Sequence, residues 1–401
     1  MAAQAMLRVA AVQAASVFLD REATVEKAVR LVEEAAAGGA GLVAFGEGFL
    51  PGHPIWLHIL PVTSPAQIAL AGKLVAAAIT IPGPETDRLA TVARATGTLI
   101  VMGATERIDP ANSSLALSAV VVHPDGRIEH RRKLAPAVGE RLLYTPGGGD
   151  SIRVFDSPWG PLSVLLGGEN SNPLLTWTLR ELGARIHVAA WPPHFNKPGV
   201  MGETATITGR AIAYQNSAHV ISVAGATTEG TRARIARTPD DRALLDAMAA
   251  DPASSVYAPR GALLAGPLDG GEAILYADLD LGAGAWASLV NRHYDRPDLF
   301  RVTVDRRLAP APLVFAPTPD TAEADPGSTP VEKAADVSIA DDLARRLIAD
   351  RYGDRLDPDD AERLVPFVVS VLETSRRLEE LDPSGFEPDE VLWADDPRTG
   401  A

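Results

Sequence analysis

Two separated segments place ionisable side chains next to stretches that are otherwise apolar. Glu47 closely follows the hydrophobic run "GLVAF" within "GLVAFGEGFLPGHP", and Lys133 and Glu140 stand in "HRRKLAPAVGERLLYTPGGGD". A buried carboxyl group can take and return protons, and a nearby ammonium group can stabilise negative charge that develops during a reaction. Taken singly, each residue is as easily a helix cap, a surface acid or a solvated lysine. Brought together, they would form a site for acid–base chemistry.

A third segment, "LSVLLGGENSNPL", ends a buried strand in a glycine turn that carries Gly167, Gly168, Glu169 and Asn170. A sharp turn after a buried strand is a place where many enzymes hold a nucleophile. Here the first turn position, Gly167, has no side chain. The simplest structural interpretation is a tight turn in which glycine adopts a positive φ and Asn170 or Ser171 caps the next helix.

The chain contains no cysteine, which excludes disulfides, thiolate metal ligands and a cysteine nucleophile. His53, His194 and His219 are isolated and lack the spacing of metal ligands, so we predict neither a metal nor another cofactor. The formal net charge of −15 disfavours binding to nucleic acid or to an anionic membrane surface. A small-molecule substrate or a protein partner fits this composition better.

The elements that must position these residues alternate along the first three quarters of the chain. Apolar and β-branched runs predict strands, and 3.6-residue periodicity predicts the helices between them, so an α/β fold with layers of sheet covered by helices follows. The predicted strands are 7–13, 41–45, 99–105, 115–122, 162–166, 186–190, 219–225 and 273–281. The predicted helices are 22–37, 84–96, 172–182 and 205–216.

The composition changes near residue 310. We predict one domain over residues 1–310, a connector rich in Pro, Ala and Asp over 311–335, and a helical C-terminal extension over 336–401. Within the extension, 337–351 and 359–380 have helical patterns. The sequence shows neither a leader-like start nor an apolar run of about 18 residues, so we expect a cytoplasmic protein.

The order and context of these motifs resemble the nitrilase branch of the carbon-nitrogen hydrolase superfamily. The family pattern E-x-x-x-P-G-x-P is matched by Glu47, Pro51, Gly52 and Pro54. The pattern R-K-L-x-P-t-x-x-E-R is matched by "RRKLAPAVGER", and the strand-end pattern C-G-E-N-x-N-P-L is matched by "GGENSNPL". Further agreement lies in "VAAWPP", in "RAIAYQNSAHVISV" and in "HYDRPDLF", so the resemblance extends from residue 7 to about 305.

The resemblance implies a four-layer α-β-β-α sandwich that assembles into homo-oligomers, either dimer-based or spiral. It also implies a Glu-Lys-Cys site that hydrolyses nitriles, amides or related carbon-nitrogen bonds without metal or cofactor. Carried over by position, Glu47 is the general base, Lys133 stabilises charge, and Glu140 orients the substrate or the lysine. The substrate pocket would include Gly168, Glu169, Asn170, Trp191 and Pro192.

The departure from the family pattern is Gly167, which stands where the family has its cysteine, so the family's thioimidate route is closed. One hypothesis is that Glu47 and Lys133 still act on a small nitrogen compound, with water or a bulkier substrate in the space that the thiol would fill. The other is a pseudoenzyme that serves as an assembly subunit or a ligand-binding regulator. An introduced substitution at Gly167 is a third explanation, although Ala or Ser is the usual choice.

Overall fold

A computed structural model describes residues 6–109, 113–251, 254–284 and 337–352, with scattered positions in 287–306 and 362–369. The chain divides into two compact units, Met1–Val314 and Phe315–Ala401. The predicted connector 311–335, most of the predicted helix 359–380 and most of the segment "HYDRPDLF" lie outside the described residues.

Eleven strands are found in the described part of the first unit. They are β1 (Met6–Gln13), β2 (Leu42–Phe45), β3 (Leu99–Arg107), β4 (Leu115–Val122), β5 (Ile128–Arg132), β6 (Leu162–Leu166), β7 (Ile186–Trp191), β8 (His219–Ala224), β9 (Ser255–Tyr257), β10 (Leu263–Ala265) and β11 (Ala273–Asp280). They form a six-stranded sheet in the order β11-β1-β2-β3-β4-β5 and a five-stranded sheet in the order β10-β9-β8-β7-β6. In each sheet three neighbouring strands run parallel, namely β1, β2 and β3 in the first and β6, β7 and β8 in the second.

The described helices of the first unit are α1 (Arg21–Ala37), α2 (Pro65–Ala77), α3 (Pro84–Thr96), α4 (Pro173–Glu181), α5 (Val200–Asn216), α6 (Glu229–Ile235) and α7 (Pro239–Ala249). Short 3-10 helices cover Ile55–His58, Glu140–Leu142, Gly149–Ser151 and Gly167–Ser171. No helix among the described residues of either unit combines the length and the apolarity that a bilayer-spanning segment needs.

The alternation of side chains along the strands builds the layers. In β1, Val9 and Ala11 belong to the core between the two sheets, whereas Ala10 and Val12 belong to the core under α1 and α3. The second sheet behaves in the same way, because alternate residues of β7 face the inter-sheet core and the helix α5. Strands buried on both faces read as continuous apolar runs, which is why the sequence predicted them closely. The fold is the expected α-β-β-α sandwich.

The structure adds elements that the sequence did not predict: α2, α6, α7 and three short strands. The helix predicted over residues 172–182 is present as α4. In α2 the apolar residues are spread around the helix, with Leu70 and Leu74 buried and Ile68 62% exposed, so no single apolar stripe marks it in the sequence. In the second unit, α8 (Val337–Tyr352) matches the predicted helix, and its Ala344 and Ile348 pack with Val365.

Candidate active site

The loop after β2 positions Glu47 at the carboxyl end of the first sheet. The backbone N–H of Glu47 donates to the carbonyl oxygen of Trp191 at the end of β7, at 2.9 Å, so this loop joins the ends of strands from both sheets. The Glu47 side chain is fully buried. Ligand sites form where the carboxyl ends of parallel strands converge, and this is such a place.

Lys133 follows β5, which forms a hairpin with β4, and its backbone N–H donates to the carbonyl oxygen of Leu117 at 2.7 Å. The Lys133 ammonium donates to Glu47 Oε1 at 2.6 Å and to Glu140 Oε2 at 2.7 Å. Glu140 Oε2 also accepts from the backbone N–H of Ala137 at 2.6 Å. The structure therefore brings Glu47, Lys133 and Glu140 into one buried cluster, although Glu47 and Lys133 are 86 positions apart.

Burial controls the protonation of this cluster. Removal from water raises the pKa of Glu47 to about 8, because the opposing attraction of Lys133 is partly offset by the negative charge of Glu140. Burial alone would lower the pKa of Lys133, but Glu47 and Glu140 outweigh it and raise that pKa above its ordinary value. The cluster therefore has one firmly held positive charge and one carboxyl group that exchanges its proton near neutral pH.

Gly167 lies directly against this cluster. Its φ is +51°, in the left-handed region that favours glycine. A Cβ atom built on Gly167 would lie 2.6 Å from Glu47 Oε2 and 3.2 Å from Lys133 Nζ, whereas one built on Gly168 would meet no atom within 4 Å. The sequence analysis expected open space at Gly167 for water or substrate. Instead, the Glu47 carboxylate already lies where the Cβ of a side chain at position 167 would begin.

Glu169 does not enter the cluster, because it is held by Arg131. The two side chains form a buried bidentate pair with distances of 2.6 and 2.8 Å, and Glu169 also accepts from the backbone N–H groups of Leu134 and Leu166. Burial would raise the pKa of Glu169, but Arg131 and these N–H groups lower it below its ordinary value. Glu169 thus fastens the Lys133 segment to the glycine turn. Sequence reasoning missed Arg131, whose only signal is its position in "HRRK".

Asn170 fixes the turn itself. Its amide donates to the carbonyl oxygens of Gly167 at 2.8 Å and of Leu165 at 3.3 Å, and its oxygen contacts His187 Nε2 at 3.0 Å. His187 in turn contacts Ser163 through Nδ1 at 2.8 Å, and burial lowers the pKa of His187 to about 3. The expected helix cap at Asn170 or Ser171 is wrong: Asn172 caps α4 by accepting from the backbone N–H groups at its start.

A cavity of about 600 Å³ opens over the cluster. Glu47, Lys133, Glu140, Gly167 and Gly168 line its floor, and its wall is largely apolar, with Leu57, Val62, Val138, Leu142, Pro192 and Phe195. Trp191 was expected in this wall, but it lies on the opposite face of β7, in the core under α5, where its indole N–H donates to Ser222 Oγ at 2.9 Å. Neither Glu169 nor Asn170 lines the cavity.

His53 and His58 also line the cavity. The sequence predicts no functional role for His53, and His58 is not among the predicted site residues. His53 is buried, and its Nε2 lies 3.7 Å from Glu140 Oε1. Its Nδ1 has no hydrogen-bond partner among the residues that the structure describes. Burial, and next the charge of Lys133, holds the pKa of His53 well below its ordinary value, so the imidazole is neutral. His58 ends the 3-10 helix Ile55–His58, which follows His53 in the chain. The available signal was the position of His53 in "PGHP", six residues after Glu47.

The only grouping of metal-ligand donors among the described residues is formed by Glu47, His53 and Glu140, whose atoms lie within 4.8 Å of one another. Both carboxylates, however, already accept from the Lys133 ammonium. A divalent cation would have to lie beside that positive charge, so this set of donors fits a proton better than a metal.

Comparison with known proteins agrees with the fold. The Carbon-nitrogen hydrolase family matches residues 8–287, and the chain belongs to that family. Curated relatives place it in the nitrilase branch. A nitrilase from Pseudomonas syringae pv. syringae is 31% identical over 350 residues, which cover 84% of this chain and 98% of that protein. An arylacetonitrilase from Macrophomina phaseolina is 33% identical over 324 residues, 75% of this chain and 92% of that protein.

Solved structures share the fold at lower identity. A carbon-nitrogen hydrolase from Helicobacter pylori has a TM-score of 0.58 at 19% identity and covers 74% of this chain and 97% of its own. A double mutant of the amidase from Nesterenkonia sp. AN1 in complex with acrylamide has a TM-score of 0.51 at 18% identity, covering 74% and 99% of the two chains. Each of these neighbours supports the sandwich architecture.

Proposed function

We propose that this protein acts on the carbon-nitrogen bond of a nitrile, amide or related small nitrogen compound without forming a covalent bond to the enzyme. Gly167 occupies the place that the family resemblance assigns to the nucleophile, so the attacking group is water. Glu47 moves the protons, Lys133 stabilises the developing anion, and Glu140 holds Lys133 in place. The preferred substrate class is a nitrile, because the curated relatives are named as nitrilases and arylacetonitrilases.

The observation that carries this proposal is the free oxygen of Glu47. Oε1 accepts from Lys133, whereas Oε2 is buried and has no hydrogen-bond partner among the described residues. Leaving a buried carboxyl oxygen unpaired costs about 1–3 kcal/mol, which a purely structural carboxylate would avoid. This oxygen lies beside Gly167 at the cavity floor and is ready to exchange a proton with a bound molecule.

Lys133 has a donor to spare. An ammonium group carries three N–H donors, and two of those of Lys133 are used by Glu47 and Glu140. The third can point to a nitrogen or oxygen atom that becomes negative during the reaction. Since Lys133 Nζ would lie 3.2 Å from a Cβ at Gly167, an electrophilic carbon held above that glycine would have its heteroatom within reach.

For a nitrile the steps balance as a hydration. The oxygen of water bonds to the nitrile carbon while one water proton passes to the Glu47 carboxylate, and one π bond of the nitrile becomes an electron pair on nitrogen that Lys133 stabilises. Glu47 then returns the proton to that nitrogen, and the resulting imidic acid tautomerises to the amide. Because the pKa of Glu47 is about 8, only about a tenth of the enzyme has the required carboxylate at pH 7.

The apolar wall of the cavity suits a substrate whose nitrile or amide group is attached to a hydrocarbon or aryl body. Such a body would pack on Leu57, Val138 and Phe195 while the reacting group reaches the polar floor. The test is conversion of phenylacetonitrile, hexanenitrile and phenylacetamide, followed by mass spectrometry. Addition of one water to a nitrile supports the proposal, and the rate should rise with pH up to about 8 and then level off.

Glu47→Gln is the decisive variant, since it keeps the size of the side chain but cannot take a proton. We expect it to abolish conversion. Glu106→Gln is the matched control, because Glu106 is also buried but bonds to Ser118 and Arg132 outside the cavity. Equal rates in the parent and in Glu47→Gln would overturn the proposed role of this carboxylate.

The second candidate is a pseudoenzyme that uses the fold as an assembly subunit or a ligand-binding regulator. It is favoured by the pairing of Lys133 with two carboxylates, which joins the segment after β2 to the segment after β5 without a substrate. Gly167→Cys separates the two candidates. In a site that retains its chemistry, the thiol should be labelled by an electrophilic nitrile once Glu47 shifts away from the new Cβ. A folded variant that stays unlabelled, with a parent that converts none of the probes, supports the pseudoenzyme.

A further inference from the structure

A second groove of about 600 Å³ lies on the first unit, outside the candidate active site. The segment that follows β1 forms one side of it, and α2 and α6 with the residues after α6 form the others. Its lining includes Phe18, Leu19, Leu70, Lys73, Arg234 and Arg237. None of them lines the cavity over Glu47.

The rim of this groove is cationic in a protein whose net charge is −15. Lys73, Arg234 and Arg237 are exposed, and none of them forms a side-chain ion pair with the acids in the described part of the chain. The acid in the groove, Asp20, uses its carboxylate to cap α1 by accepting from the backbone N–H of Ala23 at 3.0 Å. The three cations outnumber the two nearby acids, Asp20 and Asp241, so the rim keeps a net positive charge that attracts an anion. Two of the cations are guanidinium groups, which suit a carboxylate.

Asp241 lies near Arg237, but its carboxylate accepts hydrogen bonds from backbone N–H groups and not from the Arg237 guanidinium. Asp241 Oδ2 accepts from the backbone N–H groups of Arg237 and Thr238, at 2.8 and 3.0 Å, and so caps the start of α7. The Arg237 guanidinium remains available to the groove.

The base of the groove is apolar. Phe18 and Leu70 are 7% and 8% exposed and belong to the core between the sheets, with Leu19 packed against that core. A bare inorganic anion would gain nothing from this surface, whereas a hydrocarbon or aryl group would remove it from water at about 25 cal/mol per Å² of apolar area. The combined chemistry is that of an organic anion with an apolar body.

The groove is also connected to the wall of the candidate active site. The Leu19 backbone N–H donates to the carbonyl oxygen of Pro51 at 3.1 Å, in the loop between Glu47 and His53. The Phe18 ring meets the Trp56 ring edge to face, with centroids 5.8 Å apart. Trp56 belongs to the 3-10 helix Ile55–His58, whose Leu57 and His58 line the other cavity. A molecule in the groove would therefore touch residues that hold this wall.

We propose that this groove binds an organic carboxylate with an apolar body, its carboxylate at Arg234, Arg237 and Lys73 and its body on Phe18 and Leu70. Binding steadies the segment 51–58 and so couples the groove to the candidate active site. The inference uses the groove and its contacts alone and does not depend on whether Glu47 performs chemistry.

The test is calorimetric titration of the full chain with phenylacetate, with 2-phenylethanol as the neutral counterpart and inorganic phosphate as the bare anion. We expect phenylacetate to bind and both of the others to bind about tenfold more weakly or not at all. Arg234→Glu combined with Arg237→Glu should weaken phenylacetate binding at least about tenfold, because two attractions become repulsions. Arg30→Glu, on the exposed side of α1, is the control for a change of charge and should have no effect.

Two further measurements distinguish the groove from the candidate active site. At about pH 9, above the pKa of Glu47, Glu47→Gln removes a negative charge from the other cavity, so phenylacetate bound there would bind more tightly to this variant, whereas binding in the groove should be unchanged. Hydrogen exchange of segment 51–58 should slow with phenylacetate in the parent and not in the Arg234/Arg237 double variant. The proposal is overturned if the parent does not bind phenylacetate or binds phosphate equally well. It is also overturned if the Arg234/Arg237 double variant still binds phenylacetate as the parent does, or if phenylacetate does not change hydrogen exchange of segment 51–58 in the parent.

Discussion

The raised pKa of Glu47 has a consequence for stability that can be measured without a substrate. In the folded protein Glu47 keeps its proton up to pH about 8, whereas in the unfolded chain it releases the proton near its ordinary pKa of 4.5. Between these values the folded state binds one proton more than the unfolded state. The free energy of unfolding must therefore fall as pH rises from 4.5 to 8, and this contribution must stay constant above that range.

Glu47→Gln removes this dependence, because an amide does not titrate in this range. Each pH unit corresponds to 1.36 kcal/mol, so between about pH 6 and pH 8 the parent should lose up to about 2 kcal/mol relative to the variant. For a domain of this size, 1 kcal/mol shifts the melting temperature by about 2 °C, which gives a relative shift of about 4 °C. Lys133 stays charged throughout this range in both proteins, because its pKa is raised above the ordinary value.

Melting curves of the parent and of Glu47→Gln, recorded at closely spaced pH values, give the difference in melting temperature directly. That difference should move in favour of the variant up to pH about 8 and then level off. The control is Glu106→Gln: burial would raise the pKa of Glu106, but its hydrogen bonds to Arg132 and Ser118 lower it, so it titrates only in acid. This control should be less stable than the parent by a constant amount. Parallel curves for the parent and Glu47→Gln would refute the assignment of a proton to Glu47 at neutral pH.

Three other changes test the packing around the site and the assembly of the protein. Gly167→Ala should destabilise by about 1–3 kcal/mol, because its Cβ would lie 2.6 Å from the buried carboxylate at a φ of +51°, whereas Gly168→Ala meets no atom and should melt near the parent temperature. Arg131→Met should cost about 3–5 kcal/mol, measured by chemical unfolding, because it leaves Glu169 buried without its partner. We also expect the protein to self-associate through α4, where Leu174 is 65% exposed. Light scattering should show an oligomer, and Leu174→Asp should weaken it. A compact parent monomer at micromolar concentration would contradict this expectation.

Much of the fold could be predicted from the sequence because strands buried on both faces leave unbroken apolar runs. The position of Trp191 could have been predicted better from the same rule. Ile186, Val188 and Ala190 face the inter-sheet core, so residue 191 must face the helix layer, and only the chain after it can reach the cavity. The motif "AWPP" predicts that Trp191 and Pro192 share one surface of the pocket, whereas the strand places them in different environments, with only Pro192 in the cavity wall.

The pairing of buried charges could not be predicted in the same way. Arg131 and Lys133 stand two positions apart in "HRRK", yet one meets Glu169 and the other meets Glu47. Local sequence gives no reason to prefer these partners. The Arg131–Glu169 pair crosses from one sheet to the other, and the Lys133–Glu47 pair joins the ends of β5 and β2, which are not neighbours in the first sheet. The family resemblance pointed to Lys133 through its motif, and it said nothing about Arg131.

The geometry at Gly167 also determines what kind of site the remaining residues form. In the mechanism that the family resemblance implies, the carboxyl group of Glu47 takes the proton of a thiol, and the thiolate attacks. Gly167 has no thiol, so position 167 supplies no proton to Glu47. The Oε2 atom of Glu47, which lies beside Gly167, is left without a hydrogen-bond partner among the described residues. Burial and the charge of Glu140 keep this carboxyl group protonated at neutral pH. The same three residues therefore form, at neutral pH, a site that mainly donates protons: Lys133 and protonated Glu47 both present hydrogen-bond donors toward Gly167. A ligand with an acceptor nitrogen or oxygen would be favoured there, and raising the pH converts the donor at Glu47 into a base.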